Sequence, residues 1–422
     1  MAGAGALVSV VEETGREQRS NSARVARSQA ASADRNVRAT RTRSLGTALY
    51  SSSSEIALRL ISRQRVESLE QLVRERVRAA VAYRERLVQD TNAYRVIFSE
   101  GDFLPGLIVD KYNDILSLQV LTQAMDDAEM RRPVVAELLD AFRPRAMVER
   151  VDARVRRLEQ LSEKQTGLIW EQDAEEQPAS HSGEALHPAP GWARPHSERP
   201  SSSEPALAPK SMRTEFVMNG VRFIYDALAG QKTGAFLDQR ENYAAAAQYA
   251  RGEALDVFCY QGGFALHLAR GCDKVTGVDS SRPALEAAEH NADLNGRDIE
   301  WIEANAFDLL RDYSDSGQKY DSIVLDPPAF AKSKRELATA LRGYKELNLR
   351  ALKMLRPGGI LVTCSCSYHV NAADFMGTVA AAALDSHRII RVLENRGAAK
   401  DHPSVLGIPE TSYLKCAILL VS

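Results

Sequence analysis

The sequence predicts an α/β protein whose second half forms a doubly wound, mostly parallel sheet, preceded by a smaller α+β module. Two observations support this fold class. Short apolar runs with little polar alternation, typical of strands buried on both faces, recur through the second half. Helical patterns separate these runs, and such an alternation of strand and helix is typical of parallel sheets. We therefore expect a ligand site at the carboxyl ends of the strands.

Composition and charge narrow the class of protein. The 422 residues are enough for two or three domains, and a formal net charge of −2 gives no overall sign of nucleic-acid binding. Any RNA contact must then come from local patches. Five cysteines without regular spacing argue against a disulfide framework and against a zinc site, and no long apolar run suggests a membrane span. We expect a cytoplasmic protein without a metal, and the sequence makes no prediction of oligomeric state.

Residues 1–61 contain only fragments of predicted structure. Leu7 to Val11 can form a strand, and Leu49 to Ile61 alternates apolar and polar residues as one strand would. Between them, Arg16 to Arg43 is rich in Arg, Ser and Ala, a composition that cannot bury a core. Such a run is usually only solvated, and direct RNA contact is the alternative.

Residues 62–170 are predicted to form the α+β module. Val66 to Val88 carries apolar residues at helical spacing, which indicates an amphipathic helix. Turn residues between short β-prone runs then indicate a turn and a hairpin. The other predicted elements are strands at Tyr94 to Phe98, Leu107 to Tyr112, Ile115 to Leu121 and Ala146 to Glu149, and a helix at Asp126 to Phe142.

Residues 171–210 are rich in Pro, Ser and Glu, which predicts a flexible linker or insertion. Residues 211–422 carry the main sheet. Its predicted strands are Ala254 to Phe258, Lys274 to Val278, Ile299 to Ile302, Ser322 to Leu325, Ile360 to Thr363, His387 to Leu393 and a final edge or inserted strand, Tyr413 to Val421. One predicted helix follows the first strand and ends at Arg270, and two others span Pro283 to Leu294 and Ala340 to Leu355.

A glycine-containing turn follows the first of these strands, in Asp256-Val-Phe-Cys-Tyr-Gln-Gly-Gly-Phe. Glycines allow a backbone to approach a ligand closely, and Asp279 after the next strand can accept hydrogen bonds from a ribose diol. The chain lacks both Gly-x-Gly-x-x-Gly and the triphosphate-binding Gly-x-x-x-x-Gly-Lys-Ser/Thr motif. A simple structural turn is the alternative.

Two further motifs lie at the ends of later strands. Asp326-Pro-Pro-Ala-Phe ends the fourth strand, and its prolines fix the loop in an open geometry against which a planar base can lie. Cys364 and Cys366 follow the fifth strand. An isolated cysteine is most often only a small buried residue, so the neighbouring motifs are what make a nucleophile credible here.

These motifs resemble a known family. The motifs are similar to those of the class I S-adenosylmethionine-dependent ribosomal RNA cytosine-5 methyltransferases of the large-subunit RlmI type. Four further stretches share this similarity: Arg342-Gly-Tyr-Lys-Glu-Leu-Asn, Thr363-Cys-Ser-Cys-Ser, Phe98-Ser-Glu-Gly-Asp-Phe-Leu-Pro-Gly and Lys232-Thr-Gly-Ala-Phe-Leu-Asp-Gln-Arg. The resemblance covers about residues 92–170 and 211–422. It implies an N-terminal RNA-binding PUA domain, here partial and interrupted within residues 1–61, and a Rossmann-like methyltransferase domain in residues 211–422.

The resemblance implies a reaction and a cofactor. S-adenosyl-L-methionine would methylate carbon 5 of a cytosine in large-subunit ribosomal RNA, after a cysteine thiolate adds to carbon 6. Cys366 matches the family's nucleophile, whereas Cys364 stands where the family often has an apolar residue. Asp326 would bind the cytosine edge. Ala329 stands where many relatives carry a second cysteine, so the base that removes the carbon 5 proton is not assigned.

The same resemblance implies a set of cofactor-binding residues. Asp279 would bind the ribose, Asn305 and the backbone of Ala306 the adenine, and Gln239 with Arg240 would close the pocket. The residues expected around the rest of the cofactor are Asp256, Tyr260, Gly262, Gly263, Phe264, Ser280 and Asp326. A cluster of cations follows the Asp-Pro-Pro motif: Lys332, Lys334, Arg335, Arg342 and Lys345. These side chains can neutralise RNA phosphates, and a solvated helix face is the alternative.

Two alternatives stay open from the sequence. The same fold can act on carbon 5 of uracil or on another RNA, because both pyrimidines require similar thiolate chemistry. An RNA-binding ribosome-assembly factor that has lost turnover is the other alternative, suggested by the incomplete N-terminal region. Intact Cys366, Asp326 and Asp279 argue against it.

Overall fold

The computed structural model describes residues 7–14, 24–25, 41–54, 56–172, 212–228, 234–331 and 333–422. Most of the Arg-rich run, the Pro-rich stretch beyond residue 172 and Lys332 lie outside the described residues. In the described part of the chain, no helix is long and apolar enough to cross a membrane.

An antiparallel four-stranded sheet occupies the N-terminal region, in the order β2-β1-β3-β4. Its strands are β1 (Leu7–Thr14), β2 (Arg24–Val25), β3 (Arg41–Tyr50) and β4 (Leu58–Ser62). The prediction of one strand from Leu49 to Ile61 was wrong, because the chain turns between β3 and β4. A run of four serines begins this turn, and the Ser51 N–H donates to the Ala57 carbonyl at 2.9 Å. The PUA-like nature of this region stays a prediction.

The α+β module forms a five-stranded sheet in the order β5-β6-β7-β8-β9. Helices α1 and α3 pack with this sheet, and Ser68 and Asp127 cap their N-termini. The elements are α1 (Leu69–Leu87), β5 (Ala93–Phe98), β6 (Leu107–Tyr112), β7 (Ile115–Val120), α2 (Gln123–Asp126), α3 (Ala128–Phe142), β8 (Ala146–Glu149), α4 (Ala153–Leu158) and β9 (Gly167–Glu171). The predicted strands and helices of this region are confirmed, and α2, α4 and β9 are additional.

A two-stranded antiparallel hairpin, β10 (Arg213–Met218) and β11 (Val221–Asp226), links the module to the main sheet. An isolated bridge pairs Thr91 of the module with Met218 of the hairpin. The buried Asp401 also joins the two parts: its carboxylate accepts hydrogen bonds from the Arg95 N–H at 2.8 Å and from the Arg240 guanidinium at 3.1 Å. Burial opposes ionisation, but His402 and Arg240 hold the Asp401 pKa well below its usual range.

The main sheet has seven strands in the order β14-β13-β12-β15-β16-β18-β17. Those strands are β12 (Glu253–Val257), β13 (Lys274–Asp279), β14 (Glu300–Glu303), β15 (Tyr320–Leu325), β16 (Leu355–Ser365), β17 (Ile390–Arg396) and β18 (Lys415–Val421). All run parallel except β18, which lies between β16 and β17 and pairs antiparallel with both. The doubly wound fold class is confirmed, and the final strand is inserted rather than at the edge.

Helices cover both faces of this sheet, and two apolar clusters fill the space between the layers. The helices are α5 (Arg240–Tyr249), α6 (Gly263–Leu268), α7 (Arg282–Leu294), α8 (Ala306–Asp315), α9 (Leu337–Met354) and α10 (Ala372–Asp385). The strand order reverses between β12 and β15, since β12 is followed on one side by β13 and on the other by β15. This reversal creates the crevice in which open α/β sheets bind ligands.

Candidate active site

The glycine turn after β12 is held tightly over the neighbouring strand. The N–H groups of Phe258 and Cys259 donate to the Val278 carbonyl at 2.8 and 3.0 Å. Phe258 and Tyr260 have positive φ angles of 68° and 50°, and Gly262 follows at 81°. A Cβ on Gly262 would lie 2.8 Å from the Trp301 ring, so this position requires glycine. The turn therefore opens α6 with its backbone facing the crevice.

Asp279, at the end of β13, supports the same turn. Its Oδ2 accepts a hydrogen bond from the Tyr260 N–H at 3.0 Å, and its Oδ1 accepts one from the Ser281 N–H at 2.9 Å. Each carboxylate oxygen retains a further lone pair, so the side chain can still accept from a ligand hydroxyl. Ser280 is exposed beside it.

Asp256 lies beneath the turn rather than at the surface. Its side chain is fully buried, and its Oδ2 accepts a hydrogen bond from the Ala265 N–H at 2.8 Å. Its Oδ1 has no hydrogen-bond partner among the described residues. Burial, followed by the nearby charge of Asp279, raises the pKa of Asp256 to about 7.

The end of β14 brings Asn305 to the same edge of the sheet. Asn305 is exposed and caps α8, since its Oδ1 accepts from the Phe307 N–H at 2.9 Å. The Ala304 N–H donates to the Asp279 carbonyl at 3.1 Å, which ties the ends of β13 and β14 together. Ala306 begins α8 and is buried.

Asp326 follows β15 on the other side of β12. The Gln239 side chain donates to Asp326 Oδ1 at 2.9 Å, and Asn242 fixes Gln239 by donating to its Oε1 at 2.6 Å. Burial, with the charges of Asp238 and Asp256, raises the pKa of Asp326 to about 8. The Asp326 carboxyl is therefore mostly protonated at neutral pH.

The structure separates Gln239 from Arg240, which the sequence places together at the pocket. Gln239 reaches Asp326, whereas the Arg240 side chain is buried and directed at Asp401. The two residues are neighbours at the start of α5, where consecutive side chains point in different directions. Arg240 thus joins the two parts of the chain and does not line the crevice.

Cys366 follows β16, next to the Asp-Pro-Pro loop. Its Sγ lies 3.8 Å from the Pro327 carbonyl oxygen, and the residue is only partly buried. Cys364, by contrast, is fully buried and sits opposite Cys416 in the β16–β18 ladder. Burial, with the charges of Asp326 and Asp238, raises the pKa of Cys366 to about 12. Of the two thiols, Cys366 is the one that a substrate can reach.

A small cavity of about 20 Å³ lies beside the glycine turn and Asp326. Aromatic side chains and the glycine turn form most of its walls, and Asp326 also lines it. The residues that line it are Met218, Phe223, Ala235, Phe236, Tyr243, Phe258, Cys259, Tyr260, Gln261, Gly263, Phe264 and Asp326.

Comparison with known proteins identifies the chemistry that this crevice serves. Residues 166–410 match the model of the S-adenosylmethionine-dependent methyltransferase family. This chain belongs to that family. Its cofactor is therefore S-adenosyl-L-methionine. The residues fit this cofactor, since the cavity offers aromatic surface beside a glycine turn and Asp279 offers acceptors for hydroxyl groups.

The curated relatives carry a more specific name. The ribosomal RNA large subunit methyltransferase I of Photobacterium profundum is 37% identical over 381 residues, which cover 88% of this chain and 86% of that one. The protein of the same name from Vibrio parahaemolyticus is 35% identical, covering 89% and 88%. Among solved structures, that of SMU.776 in complex with SAH has a TM-score of 0.70 at 18% identity, covering 89% of this chain and 88% of that one, and shows the same fold.

Two features of the methyltransferase site were missed in the sequence. Tyr344 of α9 is buried, and its hydroxyl hydrogen-bonds Ser365 Oγ at 3.0 Å and Ser367 Oγ at 2.9 Å, on either side of Cys366. Ser367 Oγ also accepts from the Ala331 N–H at 3.2 Å, which ties the cysteine loop to the Asp-Pro-Pro loop. Arg342-Gly-Tyr-Lys-Glu-Leu-Asn contained this tyrosine, but no sequence pattern indicated its partners.

The second missed feature is a polar group at the start of β18. Lys415 Nζ donates to the Ser367 carbonyl at 2.7 Å and to the Tyr413 carbonyl at 2.8 Å. Tyr413 OH in turn donates to Asp238 Oδ2 at 2.5 Å. No motif marks Lys415, because only the long-range pairing of β18 with β16 brings it to Cys366.

The predicted RNA-contacting cations divide into two groups. Lys334, Arg335 and Arg342 are exposed, near the Asp-Pro-Pro loop in sequence. Lys345 pairs with Asp385 of α10 at 2.7 Å, so its charge is already partly compensated. Their role toward RNA stays a prediction, as do the cofactor contacts assigned to individual residues.

Asp279→Asn should weaken S-adenosylmethionine binding. The amide keeps one acceptor but loses the charge, and a hydrogen bond to a charged group is worth roughly 10- to 100-fold in affinity. Isothermal titration calorimetry of the purified protein measures this change. The matched control is Asp273→Asn, an exposed carboxylate just before β13 at the opposite edge of the sheet, which should bind like wild type. Equal affinity for Asp279→Asn and wild type would contradict the ribose assignment.

Proposed function

We propose that this methyltransferase transfers a methyl group to carbon 5 of a cytosine in large-subunit ribosomal RNA, through a transient covalent bond between Cys366 and carbon 6. The names of the curated relatives support a ribosomal RNA substrate. The observation that carries the choice of base is the position of Asp326, held by Gln239, beside a reachable cysteine.

A protonated Asp326 is complementary to cytosine. The cytosine edge presents an acceptor at N3 and a donor at its exocyclic amine, and a neutral carboxyl offers one donor and one acceptor. Gln239 donates to Oδ1, which leaves Oδ2 as the oxygen that carries the proton. Uracil presents an N3–H donor and an O4 acceptor, so it would match this carboxyl only in the opposite order, with its N3–H at Oδ1 and its O4 at Oδ2. A base whose N3 lies at the protonated Oδ2 can therefore be cytosine but not uracil.

The covalent step explains why a cysteine stands beside this acid. Carbon 5 of cytosine is a weak nucleophile, and addition of the Cys366 thiolate to carbon 6 converts it into an enamine carbon. Asp326 donates to N3 as negative charge develops on the ring during this addition. The cofactor supplies the methyl group. Loss of the carbon 5 proton then allows the thiolate to leave and restores the aromatic base.

The position of the site limits the form of the RNA. Asp326 and Cys366 lie in a crevice at the sheet edge, so a base must leave its stack to reach them. A single-stranded or locally opened region meets this requirement most easily. The exposed Lys334, Arg335 and Arg342 can neutralise phosphates on either side of such a nucleotide.

Cys366→Ala should abolish methylation of unmodified ribosomal RNA. Removal of a covalent nucleophile costs at least about 10³-fold in rate, since the residual site keeps only binding and electrostatic terms. The measurement is transfer of a labelled methyl group followed by nucleoside digestion and mass spectrometry, and wild type should produce 5-methylcytidine.

Cys364→Ala is the matched control, because it removes the neighbouring thiol from a fully buried position. It should still form 5-methylcytidine. Labelled 5-methyluridine from wild type would overturn the choice of base, and product from Cys366→Ala would overturn the nucleophile. Well-folded wild-type protein that binds the cofactor and RNA without any product would favour an RNA-binding assembly factor.

Asp326→Asn should stabilise the protein more at pH 8 than at pH 5. The folded-state pKa of Asp326 is raised to about 8, above that of the unfolded chain, so wild type loses stability as pH rises between the two values. Asparagine does not titrate, and it keeps an acceptor for Gln239. Urea unfolding should show that the stability of the variant relative to wild type rises by up to about 4 kcal/mol between pH 5 and pH 8.

Asp298→Asn serves as the control for this comparison, because Asp298 is exposed. It should change stability little at either pH. An Asp326→Asn variant that differs from wild type by the same amount at both pH values would show that Asp326 is already charged at pH 5 and would remove the argument for cytosine.

A further inference from the structure

Lys415 is held beside Cys366 by the register of the inserted strand. In the β16–β18 ladder, Lys415 lies opposite Ser365, the residue before Cys366. Its ammonium donates to the carbonyl of Ser367, the residue after Cys366, and to the carbonyl of Tyr413. These two bonds fix the ammonium at the cysteine loop and leave its third N–H free for another acceptor.

The other charged and titratable groups around Cys366 come from three further elements. Asp326 follows β15, Asp238 lies in the turn before α5, and Tyr344 projects from α9. Tyr413 precedes β18 and is bonded to Asp238. Within this set Lys415 is the cation, and it lowers the pKa of Cys366 while burial and the two carboxyl groups raise it.

Burial affects Lys415 in the opposite sense to Cys366. It lowers the pKa of the Lys415 ammonium to about 8, and the nearby Cys366 opposes that shift. Lys415 is thus still mostly charged at neutral pH. A partly buried thiol beside two acidic groups needs such a charge before it can ionise.

We propose that Lys415 is a positioning residue for Cys366, whose ammonium serves as the counter-ion of the Cys366 thiolate; this inference rests on the proposed function. The S–H bond of Cys366 breaks, its proton passes to solvent water, and the electron pair stays on sulfur beside the ammonium. The sulfur then bonds to carbon 6 of the base. When the product leaves, the same sulfur returns as a thiolate next to Lys415, which keeps its three protons throughout.

A purely structural role is the competing explanation, because Lys415 also joins two backbone segments. Three substitutions separate the two roles. Lys415→Met keeps the apolar stem and loses the charge, Lys415→Gln keeps a polar donor without charge, and Lys415→Arg keeps the charge. If Lys415 is a counter-ion, Lys415→Arg should keep the Cys366 reactivity that Lys415→Met and Lys415→Gln lose.

The test is the rate at which iodoacetamide alkylates Cys366 in the full-length protein between pH 7 and pH 10, measured by peptide mass spectrometry. Neither RNA nor cofactor is needed. At pH 8, Lys415→Met should react about fivefold or more slowly than wild type, with its pH profile displaced upward, since loss of one nearby charge changes the thiolate fraction by about this factor. Lys415→Arg should stay within about twofold of wild type.

Cys272, partly exposed and remote in the fold, provides an internal control in the same digests and should react equally in all variants. If Lys415→Met does not fold, as judged by circular dichroism, Lys415→Gln gives the uncharged comparison. The counter-ion role would be overturned if the pH profile of Cys366 alkylation did not change in the uncharged variants. It would also be overturned if Lys415→Arg lost as much alkylation rate as Lys415→Met. A normal alkylation pattern with no 5-methylcytidine from wild type would instead overturn the proposed function alone.

Discussion

Partial burial of two ionisable groups at the ends of adjacent strands is the constraint on which this site depends. β15 and β16 pair in parallel with Leu325 opposite Thr363, so Asp326 and Cys366 follow their strands at the same edge of the sheet. The surrounding protein raises the pKa of both groups, to about 8 and about 12. For Asp326 this produces the neutral acid that suits cytosine. For Cys366 it produces an unreactive thiol.

The same surroundings thus suit a neutral Asp326 but disfavour the Cys366 thiolate, and the neighbouring residues compensate for this. Gln239 fixes one oxygen of Asp326, and Tyr344 holds the serines on either side of Cys366. The antiparallel β18 pairs with β16 and places Lys415, its first residue, opposite Ser365 beside Cys366. An acid that stays protonated and a thiol that must ionise can then coexist, because the cation is placed at the sulfur end of the crevice.

Much of the fold could be predicted from the sequence, because strands buried on both faces leave continuous apolar runs. The hairpin β10–β11 and helices α5, α8 and α10 were missed, and the serine turn inside the predicted strand from Leu49 to Ile61 was overlooked. In the site, the strand-end motifs placed Asp279, Asp326 and Cys366 correctly at one edge of the sheet. Arg240 was placed with Gln239 because sequence proximity does not reveal side-chain direction. Lys415 could not be found, since its position depends on a register set by long-range pairing.

The most direct test of a bond between Cys366 and carbon 6 is covalent trapping with RNA that carries 5-fluorocytidine in place of cytidine. Fluorine at carbon 5 cannot be removed as a proton, so the enzyme should stall after methyl transfer with its nucleophile bonded to carbon 6. Digestion and mass spectrometry should then locate the nucleotide on the peptide that contains Cys366, at its sulfur. An adduct on Cys364, or methylation of cytidine RNA with no adduct on any cysteine, would contradict the assignment of Cys366 as the nucleophile.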